Sequence, residues 1–186
     1  MKIKFTFLFL LQAYIFSAQI SQKIRKLAKP LDSISYAESS HIGYGGEESK
    51  IYNYFKNLSK VASNDDLYYF AKNGSNSLRL YSSKELLKRN ARRFLEIYKF
   101  YSENPLIMRY QSGCVSSTEN IIKLLNNEIF SAKEIISLRD SILKEKQEGV
   151  VIAQLKSIKE EGYDKLTQKN IEFYSTEIKK INSKKK

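Results

Sequence analysis

Between Ser49 and Tyr101 the apolar positions fall into short stripes of helical period, separated by small-residue turns. Ile51, Tyr54, Phe55, Leu58, Val61 and Ala62 recur at i, i+3, i+4, i+7, i+10 and i+11, which predicts a helix over about 49–62. Glu47 and Glu48 stand at its start, where carboxylates favour the positive end of the helix dipole. Ser63-Asn-Asp-Asp66 has the form of a capping box and opens a second helix, with Leu67, Phe70 and Ala71 inward. Gly74 is expected to close that helix in the left-handed conformation. A third helix from near Asn76 carries Leu78, Tyr81, Leu86 and Leu87, and Asn90 marks a break after it. Phe94, Ile97, Tyr98 and Tyr101 form a fourth stripe that Asn104-Pro105 stops.

The flanks are less regular. Ile20, Ile24, Leu27, Leu31 and Ile34 have helix-like spacing, but Pro30 interrupts it. Ser33 to Gly46 reads as a loop ending in Gly43-Tyr-Gly-Gly46, and Leu106 to Ser112 has no clear period before Gly113-Cys114. Ser116 with Glu119, and Ser131 with Glu134, repeat the capping-box form, so each is expected to open a helix; Phe130 would staple onto Ile135. Gly149 and Gly162 would end the next two helices, and Leu166 to Ile181 outline a last one before a lysine-rich tail. No apolar–polar alternation extends beyond four residues. The expected fold is all-α.

Composition agrees with a packed chain. Hydrophobic content of 42%, with 13 tyrosines and 10 phenylalanines, furnishes a core, and two prolines with seven glycines argue against a turn-rich β-fold. Met1-Lys-Ile-Lys4, the apolar run Phe5 to Phe16 and the small pair Ser17-Ala18 have the layout of a secretory signal peptide. The run falls short of the about 20 residues that span a bilayer, so a cleaved leader is expected over its rival, an uncleaved anchor. The expected division is therefore a signal peptide over 1–18, a linker over 19–48, a helical domain over 49–145 and a C-terminal extension with a basic tail over 146–186. Export to the periplasm or beyond changes the meaning of the net charge of +12: nucleic acid is not an expected partner, whereas envelope proteins and anionic surfaces are. The single cysteine, Cys114, excludes an internal disulfide framework.

Residues 42–115 resemble secreted, HEAT-repeat-like helical proteins of Bacteroidetes-type bacteria. The resemblance is carried by Gly43, Gly45 and Ser49; by Tyr52 and Phe55; by Ala62-Ser63 with Leu67; by Leu78-Arg79-x-Tyr81; and by Gly113-Cys114-Val115. The proline usual at the start of the second HEAT helix is replaced by Asn76. The resemblance implies short antiparallel helices stacked as a right-handed array, protein binding, and a structural place for Arg79, which in such repeats bonds to a neighbouring turn. It transfers no catalytic residue.

Candidate chemistry is sparse. His41 is the only histidine, and no CxxC accompanies it, so no nitrogen–sulfur metal site is expected, nor any cofactor. A Cys114–His41 dyad acting on envelope material is the enzymatic alternative; a structural cysteine is the ordinary reading. Gly43-Tyr-Gly-Gly46 lacks the Gly-Lys-Ser/Thr of a phosphate loop. Lys84, Lys88, Arg89, Arg92 and Arg93 form a basic run that would bind an anionic surface or serve as a solvated face. The favoured function is a non-catalytic protein-binding or structural module of the envelope, with the dyad enzyme and charge-driven adhesion as alternatives.

Overall fold

The computed structural model describes residues 20–145 and 150–184 of the chain. The leader expected over 1–18, Gly149 and the last two lysines lie outside them. Helix α1 (Gln22–Ala28) runs into a 3-10 turn at Lys29–Leu31 that places Pro30 in its first turn, so the interruption read from Pro30 is real. Strand β1 (Tyr36–Ile42) follows, then the two-residue β2 (Glu47–Glu48). Four helices come next: α2 (Lys50–Ser59), α3 (Asn64–Asn73), α4 (Asn76–Lys88) and α5 (Arg93–Glu103). A hairpin of β3 (Ile107–Gly113) and β4 (Val115–Asn120) leads into the long α6 (Ile121–Glu145), α7 (Val150–Glu160), a 3-10 turn at Tyr163–Lys165 and α8 (Gln168–Ser183).

The strands form one mixed sheet in the order β2-β1-β3-β4. Strands β1 and β3 are parallel, and the crossover between them contains α2 to α5; β2 and β4 are antiparallel to their neighbours. The all-α, HEAT-like array is thereby overturned: the fold is α/β. Ser33–Gly46 is not a loop but contains β1, and Ser116–Glu119 is not a cap but lies in β4. These strands escaped because their residues are small and polar, so they carry no aliphatic alternation.

The helical expectations over 49–104 fare better. Ser63 and Asp66 do form a reciprocal capping box. Asn90, at φ 55°, breaks the chain between α4 and α5, and α5 ends just before Asn104-Pro105. Tyr54 and Val61, expected inward, are exposed. Gly74 closes α3 in an extended conformation (φ −75°, ψ −179°) rather than a left-handed one. Its role is close approach: a Cβ there would meet Leu78 Cβ at 2.7 Å and the Phe70 carbonyl oxygen at 2.8 Å. Ser131 opens nothing, because α6 runs through it. Ile121, Leu125, Ile129, Ala132 and Ile136 make one unbroken buried stripe, and that continuity outweighs a local cap signal. Phe130 is exposed instead of stapled.

One core cluster unites the layers, extending from Ile24 on α1 to Ile178 on α8. Helix α4 is its centre: Leu78, Leu80, Leu86 and Leu87 are buried, and so are Ser77, Ser82 and Ser83. Small serines let neighbouring elements close in on several sides. Tyr81 joins this helix to the sheet. Its hydroxyl accepts from the Glu38 backbone N–H at 2.7 Å and donates to the Glu38 carbonyl at 2.8 Å. Strand β2 pairs only with His41 and Ile42, so the Tyr81 hydroxyl satisfies the β1 edge where no strand reaches. Tyr52 and Phe55 hold the ring at 5.6 and 5.2 Å between centroids.

Tyr81→Phe keeps the ring packing and strands both Glu38 backbone groups, so urea unfolding of this variant is expected to show a loss of about 1–3 kcal/mol with an unchanged m-value.

Candidate functional site

The sheet and helices α2, α4 and α6 leave between them a cleft of about 500 Å³. Strand geometry explains its lining. Tyr110 faces Ser117, and Met108 faces Glu119, across the β3–β4 hairpin. Side chains two apart share a face. This face therefore carries Tyr110 and Ser112 from β3 with Ser117 and Glu119 from β4, and all four line the cleft. Strand β1 contributes Glu38, Ser39 and Ser40, at the register shift between Glu38 and Ile42.

The helical wall is charged. Tyr81, Lys84 and Lys88 lie at i, i+3 and i+7 on α4, one stripe directed at the cleft. Opposite, on α6, the buried Glu128 carboxylate takes Lys84 Nζ at 3.1 Å and Lys88 Nζ at 3.6 Å. The Tyr163 hydroxyl donates to the same carboxylate at 2.5 Å, and Lys88 Nζ also donates to the Glu161 carbonyl at 2.9 Å. Each ammonium sits over an aromatic face: Lys84 is 5.1 Å from the Tyr110 ring centre and Lys88 4.4 Å from that of Tyr163.

These contacts set the proton affinities. Burial would raise Glu128, but the Lys84 and Lys88 charges and the Tyr163 hydroxyl overcome it and hold the carboxyl at about 2. Burial would likewise lower Lys84, and the facing Glu128 carboxylate reverses this, leaving the ammonium above its usual range. Tyr163 is raised by burial and then by Glu128. All three are locked in their ordinary protonation states at neutral pH.

At the cleft's sheet end, Ser49 links a helix terminus to a carboxylate. Its Oγ accepts from the Tyr52 backbone N–H at 2.9 Å, capping α2, and donates to Glu38 Oε2 at 2.6 Å. Glu38 is thus placed at the positive end of α2.

The residues singled out from sequence are dispersed by this geometry. Gly43 and Gly113 do meet, with the Gly43 N–H donating to the Gly113 carbonyl at 3.1 Å; both have positive φ. Cys114 is exposed at the hairpin turn beside them. His41 lies on β1 and its Nδ1 is 3.1 Å from Ser40 Oγ, with no hydrogen bond to Cys114. Neither Cys114 nor His41 lines the cleft. Arg79 donates to the Gly74 carbonyl at 2.8 Å, tying the turn before its own helix. The basic run divides. Lys84 and Lys88 turn inward to Glu128. Arg89 pairs with Glu85 at 2.7 Å and donates to the Ala62 and Ser59 carbonyls, closing the C-terminal end of α2. Arg93 pairs with Asp65, and Arg92 lies 5.8 Å from the Phe173 ring centre; these two are exposed. Sequence reasoning missed Glu38, Glu128 and Tyr163. Glu128 alone left a signal, an acidic residue among inward positions of an amphipathic stripe.

Among the described residues no cluster of histidine, cysteine or carboxylates is arranged to hold a metal ion, and no helix is long and apolar enough to cross a membrane. Comparison of the chain with protein-family models, curated proteins and solved structures finds no match.

The depressed Glu128 contributes stability that is full above its unfolded value near 4.5 and is lost as pH falls through its folded value of about 2. Raised Lys84 contributes below its unfolded value of 10.5 and loses that contribution as pH rises through the folded one. Urea unfolding from pH 7 down to 2 is expected to show a steep acid limb that Glu128→Gln lacks. Glu128→Ala, which removes the carboxylate from two partly buried ammoniums, is expected to cost about 3–5 kcal/mol at pH 7.

Proposed function

We propose that this chain is an exported, non-catalytic binding module whose ligand occupies the cleft between the sheet and helices α4 and α6. The carrying observation is the cleft itself. Its volume of about 500 Å³ falls in the range of small-ligand sites, about 300–1,000 Å³, and its walls combine aromatic rings with a few fixed charges. The Lys84–Glu128–Lys88 network supplies preorganisation, because each charged group is already held by partners on another element.

The non-catalytic part rests on proton affinities. A general acid or base works best near the operating pH, whereas Glu128, Lys84 and Tyr163 are all driven away from it. The export part rests on the basic start and apolar run of residues 1–18. Inward use of Lys84, Lys88 and Arg89 favours recognition inside the cleft over charge-driven adhesion.

The test is thermal denaturation of the mature chain and of Ser117→Trp, which fills the cleft from β4, against separate panels of short peptides, amino sugars and uronic acids. At a hundredfold excess over its dissociation constant, a true ligand is expected to raise the wild-type Tm by about 5–10 °C and leave Ser117→Trp unmoved. No shift with any panel, or equal shifts in both proteins, overturns the cleft as the binding site.

A further inference from the structure

The carboxylates around the cleft are not equivalent. Glu85 has Arg89, Glu119 has Lys123, Glu128 has two lysines, and Glu161 is exposed to solvent. Glu38 is as buried as Glu128, at 8% exposure, yet among the described residues its side chain forms no ion pair and a single hydrogen bond, from Ser49 Oγ to Oε2. Burying a carboxylate without a cation is costly, and the usual resolution is a cationic partner. The other pole of the cleft has the opposite imbalance. Lys84 and Lys88 share the Glu128 carboxylate, and Lys88 also meets the Glu161 carbonyl, so those three side chains taken alone carry one ammonium in excess.

We propose that the cleft binds a short peptide with both ends free, its terminal ammonium at Glu38 and its terminal carboxylate at Lys84 and Lys88. This rests on the cleft being the ligand site argued above. Such a ligand neutralises both poles at once: the ammonium completes Glu38, and the carboxylate balances the excess lysine. The spacing fits. Tyr81 grips the Glu38 backbone, and Lys84 and Lys88 follow three and seven residues later on the same helix. At a rise of about 1.5 Å per residue they lie about 4.5 and 10 Å further along α4. A di- or tripeptide in extended form spans about 7–10 Å, a length that a cleft of about 500 Å³ accommodates. Ser117, Ser131 and Asn127 line the same cleft and offer hydroxyl and amide groups to a peptide backbone.

Calorimetric titration of the mature chain with L-alanyl-L-alanyl-L-alanine, its N-acetyl form and its C-terminal amide tests this. The free tripeptide is expected to bind, and blocking either end to weaken binding about tenfold or more. Glu38→Gln keeps an acceptor for Ser49 and so keeps the fold, which an unchanged Tm verifies. In this variant the free and N-acetylated forms are expected to bind alike, while the penalty for amidation persists. Binding of the acetylated form as tight as the free one, or an unaltered preference in Glu38→Gln, overturns the assignment of poles. If no tripeptide binds but another panel gives a shift that Ser117→Trp abolishes, the peptide inference falls and the cleft site stands; if neither occurs, both fall.

Discussion

The double hydrogen bond between the Tyr81 hydroxyl and the Glu38 peptide groups is the constraint on which the rest of this structure depends. It closes the edge of β1 where β2 stops short, and it sets the distance of α4 from the sheet. With Tyr81 fixed, helical periodicity places Lys84 and Lys88 along the same face, one and two turns beyond. With Glu38 fixed, its carboxylate meets Ser49, the residue that caps α2. One hydroxyl thus registers a strand, the start of one helix and the charged stripe of another. Burial raises the Tyr81 phenol far above its usual range, so the contact persists across physiological pH.

The excess of basic residues takes on a different meaning in this setting. A run such as Lys84 to Arg93 suggests a single surface, but a helix turns its charges through about 100° per residue, and each is captured by whatever lies opposite. Arg89 meets the exposed carbonyls at the end of α2, a site suited to a planar fork of donors. Lys84 and Lys88 meet Glu128. A buried ion pair of this kind contributes little net stability compared with apolar packing. Its place on the wall of the cleft agrees with the preorganised binding site proposed there.

Where an element buries an aliphatic stripe, its pattern was plain from the residues. Ile51, Phe55 and Leu58 on α2 and Phe94, Ile97, Tyr98 and Tyr101 on α5 are buried as their spacing implied. The Ser63 cap was equally legible because it is local. Two kinds of feature were not. Capping signals at Ser116 and Ser131 were overridden by long-range pairing and by a continuous stripe, since a cap contributes only about 1 kcal/mol. The cleft was illegible because Glu38, Tyr81, Glu128 and Tyr163 are distant in sequence and converge only through tertiary contacts of α4 with β1 and with α6.

The missed strands and the cleft have one cause. A half-buried strand announces itself by alternation only when its inner face meets an apolar core. The inner faces of β1, β3 and β4 meet the cleft over much of their length, so they present Glu38, Tyr110, Ser112, Ser117 and Glu119 where aliphatic residues would otherwise stand. In a sheet used only for packing, these positions would be costly: polar side chains against helices α4 and α6 would need partners or would expel the helices. They are tolerated because the space they face is open. Local and global preferences usually agree in a folded chain, and disagreement concentrates where a site has been built. The stretches whose strand character could not be read are therefore those that wall the cleft, and their polarity follows from the open space they face.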